Sequence, residues 1–231
     1  MATYYKKLAF LAVAVFIAVV SAGQAAPIYA EDKAQLIFSL AQKLFDENVK
    51  AHGYTYWVGG NIGMPEDAQR PKGVAVGQAI PKFTFREFDG KASFTNETLT
   101  GPYVLNFWAS WCGPCRNEFP LLVNAMEEES LTVPVYFVNT GELSKSDAQF
   151  FLLQYAKKVK VLTDSRSKFG NAVGLNFIPV TLLIDAEGNV QAMQPGEISA
   201  LGVEFFAAIA ENPGIGAFDW TKPNKMPTTK K

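Results

Sequence analysis

One stretch constrains the fold more than any other: Asn106-Phe107-Trp108-Ala109-Ser110-Trp111-Cys112-Gly113-Pro114-Cys115-Arg116-Asn117-Glu118-Phe119-Pro120. Tyr103 to Ala109 is apolar enough for a strand buried on both faces. Helical spacing follows at once, with Cys115, Phe119, Leu122, Val123 and Met126 on the face to be buried. A strand covered on both sides and running straight into a helix belongs to an α/β sheet. The only two cysteines of the chain sit at that junction. Thiols with two residues between them can close a small disulfide ring and open it again. The first would lie beside free backbone N–H groups and the positive end of the helix dipole, which favours its thiolate. A reversible dithiol is therefore the leading reading. A passive staple is the alternative, although so short a crosslinked loop stabilises a fold little.

The flanking sequence continues the α/β pattern. Phe83 to Phe88 alternates apolar and polar residues, Asp89-Gly90 signals a hairpin, and Lys91 to Phe94 returns. Pro120 lies inside the helix after the cysteines and should kink it. A strand is predicted over 133–139. A helix opened by Ser144-Lys145-Ser146-Asp147 should run to about Lys158. A short strand over 159–163 and a short helix over 166–173 come next. Phe177-Ile178-Pro179-Val180 then leads into a strand over 181–185, which pairs with 190–193 across the turn Ala186-Glu187-Gly188-Asn189. Ala200 to Ala210 reads as the last helix, stopped by Asn212-Pro213-Gly214.

The ends have a different character. Lys6 and Lys7 precede an uninterrupted apolar run from Leu8 to Val20, and small residues follow. Residues 1–26 thus read as an export signal. An uncleaved membrane anchor is the alternative, because extension to Ala26 nearly reaches the roughly 20 residues that a bilayer span needs. Export would place the chain in the periplasm or another extracytoplasmic compartment. Residues 27–73 form a helical and irregular extension. Its amphipathic helix over 31–50 has Leu36, Ile37, Leu40, Ala41, Leu44 and Phe45 at helical spacing. The main domain spans 74–212, and 213–231 read as a loose tail that Trp220 could dock. A net charge of −1 gives no sign of nucleic-acid binding. Two cysteines and a single histidine, His52, are too few for a tetrahedral zinc site within one chain. His52 reads as a surface or helix-end residue. No metal is assigned, although a copper(I) carrier on two thiolates stays open. Nothing in the sequence sets the oligomeric state.

These residues resemble the thioredoxin superfamily, and within it the exported reductases of the TlpA/ResA type. Phe107 to Arg116 with Glu118 and Pro120, Ile178-Pro179-Val180-Thr181, and Leu183-Ile184-Asp185-Ala186-Glu187-Gly188 carry the resemblance, which covers about 74–212. It implies a thioredoxin-like fold, a central mixed β-sheet flanked by helices. It implies that Cys112 attacks a substrate disulfide, that Cys115 resolves the mixed disulfide, and that no cofactor is needed beyond the Cys112–Cys115 pair. Gly113 and Pro114 would shape the turn and help tune the potential. Trp111 would border the docking surface, Trp108 would belong to the core, and Arg116 has no assigned role. Pro179 would be a cis-proline facing the dithiol, and Ile178 would offer backbone groups to extended substrate.

Two departures stand out. Small thioredoxins carry a buried aspartate where this chain has Asn106, and asparagine cannot exchange a proton. The TlpA/ResA pattern supplies a glutamate three residues after the second cysteine, here Glu118. Partial burial would raise its pKa and suit it to take the Cys115 proton, while a plain surface carboxylate is the alternative. The other departure is the unfamiliar N-terminal extension, which leaves partner choice open. The implied partners are a disulfide-bearing protein, an apocytochrome c being one candidate, and a membrane thiol electron donor. Two other functions stay open: a net oxidant in disulfide formation, and a thiol- or copper-binding module without turnover.

Overall fold

The computed structural model describes residues 73–212 apart from 75, 156 and 157, together with Leu36, Ser39, Leu40 and Lys43. The chain divides into two compact units, Met1–Leu36 and Ile37–Lys231, and every described residue but Leu36 belongs to the second. The four isolated residues are helical, in keeping with the helix expected over 31–50, and Leu40 packs against the core. The rest of that helix, the apolar segment 1–26, His52, the 213–231 tail and Trp220 lie outside the described residues. Among the described residues no helix is long and apolar enough to cross a membrane.

Among the described residues, seven strands build one mixed sheet: β1 (Thr84–Glu87), β2 (Ser93–Thr95), β3 (Tyr103–Trp108), β4 (Val135–Asn139), β5 (Lys160–Thr163), β6 (Val180–Ile184) and β7 (Val190–Pro195). Their order is β2-β1-β5-β4-β3-β6-β7. β3, β4 and β5 run parallel, whereas β6 and β7 add antiparallel strands on one side, and β1 and β2 do so on the other. Every residue of β3 is buried, as its unbroken apolar character requires for a central strand. Its residues alternate between two cores. Val104 and Trp108 face one with Phe119, Phe137, Phe205 and Phe206; Leu105 and Phe107 face the other with Phe85, Phe169 and Val173.

Among residues 73–212, four helices cover the sheet: α1 (Gly113–Glu127), α2 (Lys145–Leu152), α3 (Lys168–Val173) and α4 (Ala200–Ala210). α1, α2 and α4 contribute to the first core and α3 to the second. Phe119 of α1 stacks on Phe137 at a centroid distance of 4.1 Å and meets Trp108, Phe151 and Tyr155. α1 stays one helix through Pro120. On its buried face Ala125 is fully packed, while Met126, expected there, is half-buried.

Some bounds differ from expectation. Ser144 caps α2 by accepting from the Asp147 N–H, as its sequence predicts, but α2 ends at Leu152 and one 3₁₀ turn follows at Leu153–Tyr155. β4 starts at Val135; Val133 is buried but lies in the preceding loop. The helix predicted over 166–173 begins at Lys168. Arg166 and Ser167 have φ of 58° and 50°, a left-handed pair that an α-helix cannot include.

Candidate active site

The site forms where β3 ends and α1 begins. Cys112 is the residue that caps α1, and its sulfur accepts the Cys115 backbone N–H at 3.2 Å. Pro114 stands in the first turn, where a missing N–H costs nothing. The two sulfurs are joined as a disulfide, with Cα atoms 5.3 Å apart. They are not equivalent. Cys112 keeps 4% exposure among the exposed Trp111, Gly113 and Pro114, while Cys115 is sealed at 0%. Trp111 leaves 53% of its surface to solvent, and its indole N–H donates to the Gly141 carbonyl at 2.9 Å. The Ile178 carbonyl lies 3.7 Å from the Cys112 sulfur. Ile178 is half-buried and Pro179 buried, and the peptide bond between them is cis. A cavity of about 420 Å³ opens beside the dithiol, with Trp111, Gly141, Phe177 and Ile178 in its wall.

Glu118 faces inward. It sits one turn beyond Cys115 on α1 and is fully buried. Its Oε1 accepts from the Asn106 amide at 2.6 Å, and its Oε2 accepts from the Ile198 backbone N–H at 2.6 Å. Burial pushes its pKa up to about 8; the hydrogen bonds from Ile198 and Asn106 oppose the rise, and the charge of Glu197 adds to it. A carboxyl poised there can give up or take a proton near neutral pH. Asn106, a polar residue in an apolar strand, is placed by register as well as by helix packing. It lies opposite Thr181 in the antiparallel β3–β6 pairing, and its amide also donates to the Thr181 hydroxyl at 3.0 Å.

Glu142, to which the sequence alone gives no role, ties Ser110, two residues before Cys112, to the segment after β4. Its carboxylate accepts from the Ser110 N–H at 2.8 Å, the Ser110 hydroxyl at 3.0 Å, the Asn139 amide at 3.0 Å and the Leu143 N–H at 3.0 Å. Burial raises its pKa, but the donors Ser110, Asn139 and Ser144 outweigh that and hold it below the ordinary carboxylate value. The available signal is positional: Glu142 follows the C-terminal end of a parallel strand, where sites in α/β sheets collect. Trp108 is buried in the core, as expected. Arg116 lies over the Phe151 ring at 5.6 Å. Among the described residues no cluster of histidine, cysteine and acidic side chains could hold a metal ion.

A dithiol at the head of a helix, opposite a proline loop and on a mixed sheet with helices on both faces, defines the thioredoxin-like redox proteins. The chain belongs to the Redoxin family, whose model matches residues 75–207, and is a thiol-disulfide oxidoreductase of the ResA/DsbE kind. It is 30% identical to the thiol-disulfide oxidoreductase ResA of Bacillus subtilis (strain 168), over 54% of this chain and 70% of the relative. It is 31% identical to a thiol:disulfide interchange protein DsbE homolog of Paracoccus denitrificans (strain Pd 1222), over 58% and 74% of the two chains. A solved structure of a thiol:disulfide interchange protein of the thioredoxin family, from Chlorobium tepidum TLS, aligns with 59% of this chain and 97% of its own. Its identity is 25% and its TM-score 0.49.

Proposed function

We propose that this chain is an exported reductase of protein disulfides. The observation that carries the reading is the asymmetry of the pair: a sulfur at the rim that caps a helix, and a sealed one a turn away from a buried carboxyl. In the reduced protein the Cys112 thiolate attacks one sulfur of the substrate disulfide. A mixed disulfide forms and the other substrate sulfur leaves as a thiolate, to be protonated from solvent. Cys115 gives its proton to ionised Glu118 and attacks the Cys112 sulfur. The second substrate sulfur leaves as a thiolate, and the Cys112–Cys115 disulfide remains. Two electrons have passed to the substrate.

Trp111 and Ile178 frame the place where the substrate chain docks, and Gly113 and Pro114 hold the turn that presents Cys112. Pro179 sets the facing loop. The export signal at residues 1–26 supports an extracytoplasmic location, where a membrane thiol carrier would return the electrons. Closely spaced cysteine pairs, such as those of an apocytochrome c, are clients that fit this exchange. Insulin reduction by the full chain tests the reading. Cys112→Ala and Cys115→Ala should each abolish turnover, and unchanged activity in both would remove the enzymatic role.

A further inference from the structure

Every hydrogen bond given to the Glu118 carboxyl comes from a donor: the Asn106 amide on Oε1 and the Ile198 N–H on Oε2. This arrangement suits an ionised carboxylate. A proton on either oxygen would create an O–H for which this orientation shows no acceptor among the described residues. Yet Glu118 is buried, and burial favours the protonated form. One atom beside it is free to resolve the conflict. The Asn106 carbonyl oxygen Oδ1 is buried and has no hydrogen-bond partner. A buried amide oxygen without a partner is a mismatch that folded proteins seldom leave unexplained.

We propose that Asn106 is a proton-coupled hinge, whose side-chain amide turns over when Glu118 changes its protonation state. With Glu118 ionised, Nδ2 donates to Oε1 and to the Thr181 hydroxyl, as in the structure described above. With Glu118 protonated, the amide rotates by half a turn, and Oδ1 accepts from the carboxyl O–H and from the Thr181 hydroxyl. Thr181 can serve both orientations because a hydroxyl both donates and accepts. The turned amide exchanges an unpaired oxygen for unpaired N–H groups. Each orientation therefore leaves one amide atom unpaired, Oδ1 in the first and Nδ2 with both its hydrogens in the second, and the proton on Glu118 decides which is lower. The position is fixed by β3–β6 register, which sets Asn106 opposite Thr181. All three side chains are fully buried, so bulk water does not supply the missing partner. Glu197 is the charged side chain acting on Glu118, through the loop that also supplies Ile198. Asn106 is thus a positioning residue. It exchanges no proton itself, but lets a buried carboxyl hold one and release one without repacking.

The hinge deepens the proposed role of Glu118 but can be tested apart from it. In the disulfide form neither sulfur titrates, so the oxidised full chain is used. Isotope-labelled protein is followed by NMR through the Glu118 titration, with its carboxyl carbon assigned by its loss in Glu118→Gln. The Asn106 amide signals should shift with the same midpoint as Glu118. The cross-peaks from the Asn106 N–H₂ protons to Thr181 should fall several-fold on the acid side. Asn106→Leu, which retains bulk but neither donor nor acceptor, removes a partner from both protonation states and should raise the proton affinity of Glu118 by less than the roughly tenfold that loss of a fixed donor to the carboxylate would give. Cross-peaks of equal strength on both sides of the titration would overturn the hinge, as would a Glu118 midpoint raised by a full unit or more in Asn106→Leu. If the amide turns over and yet Glu118→Gln leaves the pH profile of insulin reduction unchanged, the proton transfer to Glu118 fails and the hinge stands.

Discussion

Replacing Glu118 with glutamine should stabilise the oxidised protein at alkaline pH and leave it no more stable in mild acid. The carboxyl carries an ordinary pKa of 4.5 when unfolded and about 8 in the fold. Below both values it is protonated in either state and exerts no pH-dependent effect. Between them the unfolded chain loses its proton while the folded chain keeps it, so stability falls as pH rises. Above pH 8 the loss is complete. At about 1.4 kcal/mol per pH unit it amounts to roughly 4–5 kcal/mol. Glutamine removes the ionisation but not the bulk. Its carbonyl can accept from Ile198, while its amide must face Asn106, which costs about 1 kcal/mol if Asn106 turns and up to about 3 if it does not. The variant should therefore be about 2–4 kcal/mol more stable than the wild type at pH 9 and slightly less stable at pH 5. Urea denaturation of the disulfide form of the full chain, at a series of pH values, reads this directly. A difference between variant and wild type that stays constant from pH 5 to pH 9 would refute the reasoning, because it would mean that Glu118 ionises in the fold as it does in water.

Other expectations follow from the same contacts. Glu142→Ala removes the shared acceptor of Ser110 and Asn139 and should destabilise the protein by about 1–3 kcal/mol at pH 7. Because the folded pKa of Glu142 is depressed, that contribution is present above the ordinary carboxylate range and lost as pH falls through the folded value. The difference between wild type and variant in urea denaturation should thus shrink as pH falls below the ordinary carboxylate range. Phe119→Ala empties the centre of an aromatic cluster and should cost about 3–5 kcal/mol in the same assay, and a loss under 1 kcal/mol would contradict the packing described. Cys115→Ala should hold a client on Cys112 as a stable mixed disulfide, visible as an adduct by mass spectrometry and absent in Cys112→Ala.

Much of this was legible in the sequence because its signals are local. The all-apolar β3, the Asp89-Gly90 hairpin, the Ser144 cap and the full extent of α4 each follow from neighbouring residues. The dithiol is legible for the same reason. The surroundings of Glu118 are not. A glutamate one turn after Cys115 reads equally well as a surface charge until the packing of α1 on β3 and on the loop at Ile198 seals it. Asn106 stood out in an apolar strand, but its partners lie 12 and 75 positions away. Glu142 meets Ser110 across 32 positions, so its role depends on the parallel pairing of β3 with β4. The early end of α2 and the late start of α3 depend on backbone angles that residue types do not dictate, such as the left-handed pair at Arg166 and Ser167.

The claim on which the account depends is that Cys112 and Cys115 cycle between joined and separate states, with the dithiol as the electron-giving form. Equilibrating the full chain in thiol–disulfide buffers and counting its free thiols gives the midpoint potential. A reductase should give a value near that of thioredoxin, about −270 mV, whereas a value near −120 mV would mark an oxidant and contradict the proposed direction of electron flow.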